Sequence, residues 1–327
     1  MYHPPMNPMQ TRRQFLGTCA LGCLSAQSIV GEQPAVGQGR GVSQEPVIDI
    51  HQHTWYLGRT DDELIRHQDI MGVSRTILLP AGRSVVRDSV HEGRSNGLDA
   101  TVLGNREAYE LTAKHPDKFI FFANEIPDLP DTRRVLEYWL RRGARGIGEQ
   151  KFNVPVDSPA MRLIYDVARE FNVPVLMHFQ DGMYNHDLLR FHKILDEYSD
   201  VNFIGHAQTW WGNIDRNHDQ KVMYPPGAVT PGGVTDQLLS NHGNMYGDHS
   251  AGSGLNALIR DEDHARGFLE RHQDQLLFGS DCPDKLGVGP GCKGAQILKA
   301  IRGLSPTPDI ARKILFGNAI RLFRIPA

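Results

Sequence analysis

Four cysteines in 327 residues are too few for a disulfide scaffold, and two of them, Cys19 and Cys23, fall in the first 23 positions. Cys282 and Cys292 are left, either paired in an oxidising compartment or as two buried thiols. Long apolar runs are lacking as well. Thr18–Val30 comes nearest, and it is too short and too rich in small residues to span a bilayer. Neither sign of charge dominates: the formal net charge of −3 gives no electrostatic reason to expect nucleic acid as a partner. Internal repeats and blocks of like charge are missing too. These gaps leave a globular chain of a length that suits one large α/β barrel, with a small molecule as its partner.

The first residues stand apart from the rest. Thr11-Arg12-Arg13-Gln14-Phe15-Leu16-Gly17 precedes the short apolar stretch and resembles a twin-arginine export signal. Residues 1–31 are therefore expected to be a signal peptide directing the protein to the periplasm or another extracytoplasmic space. The competing reading is an unstructured arm carrying a chance arginine pair. Ala20-Leu21-Gly22-Cys23 loosely resembles a lipoprotein box, which would anchor the chain at Cys23. Residues 32–45, rich in Gly and Gln, read as a linker. Removing residues 1–40 takes away three arginines and one glutamate, so the remainder carries a charge of about −5.

From Pro46 onward, short apolar runs alternate with amphipathic segments. The spacing predicts strands over Val47–His53, Val73–Pro80, Phe119–Ile126, Ala144–Lys151, Val173–Gln180, Val201–Gln208, Asn244–Ala251 and Gln275–Cys282. Between them, Thr60-Asp61-Asp62-Glu63 is a capping box for a helix that stops at Gly72. Ser158-Pro159 is an N-cap with proline in the first turn of another. Further helices are expected over Asn105–His115, Arg133–Arg142, His186–Tyr198, Asp263–His272, Ala295–Ile301 and Pro308–Phe316. Eight strands alternating with helices define a single (β/α)8 barrel over residues 46–327. Two connections exceed simple turns, Ala81–Ala100 and Trp210–Gly243. Both follow strand carboxyl ends, where such barrels carry their sites.

What the chain has in excess is histidine, with 15 copies, several inside strand-like runs. His51 and His53 share one face of the first strand, and two imidazoles at that spacing can hold a divalent ion. His178 ends the fifth strand, His206 the sixth and Asp281 the eighth. Buried polar groups of this kind are costly without partners, and a shared metal would satisfy them together. Any one of them alone would read as a hydrogen-bonded core group; five at one barrel end do not.

His51-x-His53, His178, His206 and Asp281, in that order and on those strands, resemble the amidohydrolase superfamily. Gly279-Ser280-Asp281-Cys282-Pro283 and Ile314-Leu315-Phe316-Gly317-Asn318-Ala319 resemble its amidohydrolase family 2 branch. The likeness runs from about Val47 to Phe323. It implies that His51, His53 and His178 are metal ligands, with Asp281 both a ligand and the base that moves a proton. It implies for His206 either a ligand role or the orienting of water and the stabilising of negative charge. A divalent cation brings the pKa of water toward neutrality and polarises a carbonyl, which gives these groups their chemistry. On the fourth strand, Glu149 and Lys151 share a face, and the Ile-Gly-Glu pattern favours Glu149 as a bridging ligand. A Glu149–Lys151 structural pair is the competing reading. Zinc is the expected metal, as one ion or two, although such ligand sets also accept manganese and iron.

Softer candidates surround this set. Trp55, Trp210 and Trp211 follow metal-strand ends and could line a substrate pocket or simply pack. Arg83 and Arg87 could clamp a substrate carboxylate, or lie solvated in their loop. Asp248 and His249 face opposite ways, so only one of them can enter the site. His67, His192, His264 and His272 lie in helical stretches and read as surface groups. Cys282 points away from Asp281's metal. The resemblance and the residues together imply a metal-dependent hydrolase of amide, ester or lactone carbonyls. A non-oxidative decarboxylase of aromatic or unsaturated acids is the alternative, and a non-catalytic metal-dependent binding protein the second. Barrels of this kind often form homodimers.

Overall fold

The computed structural model describes residues 45–90 and 102–326. The expected signal, Cys23 and all of the linker but its last residue therefore lie outside the described residues, as does part of the first long connection. The eight strands are β1 (Ile48–Gln52), β2 (Arg75–Leu78), β3 (Phe119–Phe121), β4 (Ile147–Gln150), β5 (Val175–His178), β6 (Phe203–His206), β7 (Met245–His249) and β8 (Leu276–Phe278). The helices are α1 (Asp61–Met71), α2 (Asn105–Lys114), α3 (Thr132–Leu140), α4 (Pro159–Phe171), α5 (Phe191–Glu197) and α6 (Gln208–Gly212). Then come α7 (Val234–Asn241), α8 (Ala251–Ile259), α9 (Glu262–Arg271), α10 (Lys293–Leu304), α11 (Pro308–Arg312) and α12 (Asn318–Phe323).

All strand pairs are parallel, β1-β2-β3 in one run and β4 through β8 in another. An Ala123–Ile147 bridge joins the runs on one side. On the other, the Asp281 amide donates to the His51 carbonyl at 2.9 Å. Buried Asp49 fastens the same seam by accepting from the Ser280 amide at 2.9 Å, the Ser280 hydroxyl at 2.5 Å and Gln68 of α1 at 3.0 Å. The result is the (β/α)8 barrel.

Local chemistry explains the elements. The Thr60 hydroxyl accepts from the Glu63 amide while the Glu63 carboxylate accepts from the Thr60 amide, closing both ends of the capping box. Gly72 at φ 75° stops α1 in the left-handed cap that glycine adopts most readily. Ser158 caps α4 at the Met161 amide. Two apolar layers result. One lies between strands and helices; the other fills the barrel with Ile50, Ile77, Phe122, Leu176, Ile204 and Leu277, plugged from below by Phe323 of α12.

Four helices depart from the sequence reading, one of them α12, which lies past the last helix expected, Pro308–Phe316. α6 and α7 occupy most of the ends of the connection expected to be a loop, and α8 follows β7 directly. The α8 sequence carries Gly252 and Gly254, which weaken intrinsic helix preference. Its packing against α6 and α10 supplies what the local sequence does not.

Candidate metal centre at the barrel mouth

Strict alternation along a strand does not carry the site residues into the barrel. On β1, Ile48 and Ile50 face the interior layer, and Asp49 faces outward toward α1. The register then slips: the three steps of β1 from Asp49 to Gln52 run against the two steps of β2 from Thr76 to Leu78. A slip of this kind flips the face of every later side chain, and it turns His51 and His53 inward. β4 does the same between Ile147 and Gln150 against Val175 and Met177, and there it turns in Glu149. β5, β6 and β8 need no such device, because His178, His206 and Asp281 keep the parity of the interior residues Leu176, Ile204 and Leu277.

Six predicted residues thus meet at one point. Asp281 Oδ1 lies 3.7 Å from His51 Nε2 and 3.5 Å from His53 Nε2. Glu149 Oε2 lies 3.7 and 3.8 Å from the same two nitrogens. Glu149 Oε1 faces the other way, 2.5 Å from His178 Nδ1 and 3.8 Å from His206 Nε2. Asp281 Oδ2 is 3.6 Å from His206 Nε2. Among the described residues, His51 Nε2, His53 Nε2, Glu149 Oε2 and Asp281 Oδ1 are all buried without a hydrogen-bond partner. Four converging orphan atoms are expensive unless something satisfies them jointly. Ligand atoms about 2.0–2.2 Å from a common ion lie about 3.3–3.6 Å apart in a tetrahedron, close to the spacings seen. The donor set therefore fits a divalent cation.

A second layer fixes the imidazoles. His53 Nδ1 donates to the Leu79 carbonyl at 2.7 Å, which leaves its Nε2 as the lone-pair nitrogen facing the cluster. His51 Nδ1 meets Asp248 Oδ2 at 2.7 Å. His206 Nδ1 meets the Ser250 hydroxyl at 2.8 Å, and that hydroxyl donates to Asp248 Oδ2, also at 2.8 Å. Asp248 is thus the strand-7 residue that enters, while His249 turns outward and stacks on Trp211 with ring centres 4.0 Å apart. Gly279 permits the close approach: a Cβ there would sit 2.4 Å from Asp248 Oδ1 and 2.8 Å from the His51 Cβ. Asp281 itself holds φ at 40°, a strained value for aspartate, of the kind found where function over-determines the backbone.

The electrostatics follow from this crowding. Burial works against ionised carboxylates, yet the surrounding imidazoles hold Glu149 and Asp281 well below the usual range and Asp248 at about 2. His51, despite its own burial, is raised by Asp281 and Asp248. Burial and the nearby Lys151 ammonium push His178 down to about 3, in favour of its neutral, ligating form. The cluster is built to surround positive charge.

Other predicted residues fall elsewhere. Lys151 lies past the strand end over the Tyr184 ring at 5.2 Å, and it is Glu149 that joins the cluster. Trp210 is not a pocket residue: it is 0% exposed, stacked on Phe179 and pressed against Gly205, where a Cβ would meet its ring at 2.4 Å. The chain turns at Ala207 (φ 81°) straight into α6, which swings both indoles into the core. Trp55 stays on the surface, 44% exposed. Arg83 is not a free substrate clamp, because its guanidinium pairs with Glu125 at 2.9 Å and Asp131 at 3.0 Å. Arg87 likewise pairs with Asp128. His67 and His272 are buried, not surface groups.

One residue escaped the sequence reading. Tyr56 stacks edge-on to His53, with ring centres 5.0 Å apart, and burial together with Asp281 and Glu149 raises its hydroxyl pKa well above the usual value. It stays a protonated donor beside the cluster. Its place three residues after His53 was the available signal.

Barrel and site together define an enzyme of the metal-dependent class whose chemistry sits at the strand carboxyl ends. The sequence profile described as amidohydrolase matches residues 48–325, and the chain belongs to this amidohydrolase family. The family comprises metal-dependent enzymes acting on small molecules, among them hydrolases and non-oxidative decarboxylases. Solved structures share the fold at low identity. The 2,6-dihydroxybenzoate decarboxylase from Rhizobium is 16% identical with a TM-score of 0.53, over 86% of this chain and 99% of the other. A probable 2-pyrone-4,6-dicarboxylic acid hydrolase from Acinetobacter baumannii is 17% identical with a TM-score of 0.55, over 85% and 99%. A 5-carboxyvanillate decarboxylase from Novosphingobium aromaticivorans, complexed with manganese, is 16% identical with a TM-score of 0.53, over 80% and 79%. A comparison with curated proteins gives no match.

Proposed function

We propose that the protein is a hydrolase of an amide, ester or lactone carbonyl, with two divalent cations, zinc foremost, sharing Glu149. The observation that carries this reading is the division of Glu149's oxygens. Oε2 faces His51 and His53, and Oε1 faces His178 and His206. One carboxylate serving two histidine pairs is the arrangement of a bridge. His51, His53, Asp281 and Glu149 would hold one ion, and Glu149, His178 and His206 the other. When bound, the cations supply Lewis acidity, polarising a carbonyl and acidifying water.

The chain's own groups do the rest. Asp281, ionised and pointing between His53 and His206, accepts the proton of the attacking water at a carboxylate oxygen and returns it to the leaving group. Ser250 and Asp248 keep His206 from rotating. Tyr56 presents its hydroxyl as a donor to developing negative charge. Arg83 and Arg87, tied to Glu125, Asp131 and Asp128, give no cationic clamp of the kind decarboxylation of an aromatic acid would want. The twin-arginine signal at Thr11–Gly17 belongs to this proposal, with a substrate met outside the cytoplasm. Cell fractionation of the wild type beside an Arg12→Lys/Arg13→Lys variant tests that part.

The central test is metal content per chain beside Glu149→Gln. Two equivalents falling to one or none, with turnover of an ester, lactone or amide panel lost in parallel, supports the reading. One equivalent unchanged by the substitution, with carbon dioxide released from aromatic acids, replaces it with the decarboxylase.

A further inference from the structure

Behind the barrel mouth lies a second cluster that the hydrolytic reading does not use. His67 of α1, Cys282 just after β8 and Cys292 at the start of α10 come together in the interior, all three buried. The two sulfurs are 3.9 Å apart, and each is 3.4 Å from His67 Nε2. A tetrahedral zinc ion with bonds of about 2.3 Å to sulfur and 2.05 Å to nitrogen sets edges of about 3.8 Å between sulfurs and 3.6 Å between sulfur and nitrogen. The observed triangle has that size. His67 lies more than 200 residues before the two cysteines, which are themselves ten residues apart, so no single turn or helix brings the three atoms together.

Its surroundings are those of a soft-metal site. The Met71 sulfur sits 3.6 Å from Cys292 Sγ, and Asp284 Oδ2 sits 3.7 Å from His67 Nε2, offering a thioether and a carboxylate beside the three atoms. Two thiolates would neutralise a divalent ion. The buried Arg59 guanidinium, which donates to the carbonyls of Cys282 and Asp284 at 2.9 Å each, balances the Asp284 charge. Asp281 and Cys282 are consecutive, so the two clusters share a backbone segment while their donor chemistry differs: imidazole and carboxylate in one, thiolate in the other.

We infer that His67, Cys282 and Cys292 bind one zinc ion, or another thiophilic divalent cation, at a structural site separate from the barrel mouth. The ion would staple α1 and α10 to the segment that carries Asp281, fixing that carboxylate without touching the reacting atoms.

Cobalt(II) is the probe, because its thiolate-to-metal charge-transfer absorption in the near ultraviolet cannot arise at the sulfur-free mouth. The full chain is produced in cobalt-supplemented medium with Cys19→Ser and Cys23→Ser, so that Cys282 and Cys292 are its only thiols. The expected result is that absorption, persistence of it in His51→Ala, and its loss in Cys292→Ser together with one equivalent of metal. Serine keeps an acceptor for the Ala295 amide that Cys292 now caps, and circular dichroism confirms the fold. Should Cys292→Ser fail to fold, the parent chain alone decides. No charge-transfer absorption with both thiols freely titrating overturns the inference, as does a chain lighter by two hydrogens with no titratable thiol, the signature of a disulfide.

Discussion

β7 and β8 each run out into neighbouring residues that face opposite ways. Asp248 and Asp281 turn inward, His249 and Cys282 outward. The inward pair sits among imidazoles that hold both carboxylates ionised, although Asp248 is fully buried and Asp281 largely so. The outward pair meets an indole, a second sulfur and a helix histidine. One residue of chain separates a shell of imidazoles and carboxylates from one built of sulfur and aromatic rings. The outward pair is buried at least as deeply as the inward one, so depth does not make the site; the company each side chain keeps does.

That comparison can be broken from the inside first. Asp281→Asn should lower turnover by roughly 10²–10⁴-fold, the usual loss on removing a positioned proton acceptor, with the fold intact by circular dichroism. Retained activity would move the proton transfer elsewhere.

The outward side should respond through stability. Burial pushes His249 down to about 4, against about 6.5 in an unfolded chain. The neutral ring is therefore favoured in the fold. Its contribution is fully present above pH 6.5 and is lost as pH falls from 6.5 to 4, by about 3 kcal/mol. His249→Phe should flatten the slope of unfolding free energy across that window relative to wild type. Parallel slopes for the two proteins would mean the ring is not neutral in the native state.

A smaller effect is expected from Asp248→Asn, which removes the anionic partner of His51 and of Ser250 without touching the cluster's orphan atoms. Metal affinity or activity should fall about 10–100-fold, as for other residues that orient a ligand from behind. Arg83→Ala should do least: stability should drop by about 1 kcal/mol through the pairs with Glu125 and Asp131, with kcat/KM within about threefold of wild type. A larger fall in kcat/KM would restore Arg83 as a substrate group.

Much of this was legible without coordinates. The alternation of apolar runs and capped helices announced eight strands in order, because buried parallel strands read as β-branched and aromatic runs and because Thr60, Gly72 and Ser158 are terminators that act within one turn. His51, His53, His178, His206 and Asp281 stood out because polar residues at the ends of such runs need a shared reason to be there. The inward aim of His51, His53 and Glu149, however, depends on register slips against β2 and β5, and a slip is a property of a strand pair. Simple alternation gave the right face for these residues by the wrong route, since it would also have turned Asp49 inward.

The misses have the same origin. Trp210 looked like a pocket residue because it follows His206, and only the positive-φ turn at Ala207 sends it into the core. Arg83 looked available because its carboxylate partners are more than 40 positions away. His67 gave no joint signal with the two cysteines, being separated from them by most of the barrel's length of chain. The sequence alone determined which segments become strands and helices and which residue types close each strand, since those depend on neighbours within a few positions. Tertiary structure alone decided which side chains face one another across the barrel, because register, turn direction and burial are set by segments that meet only when the chain has folded.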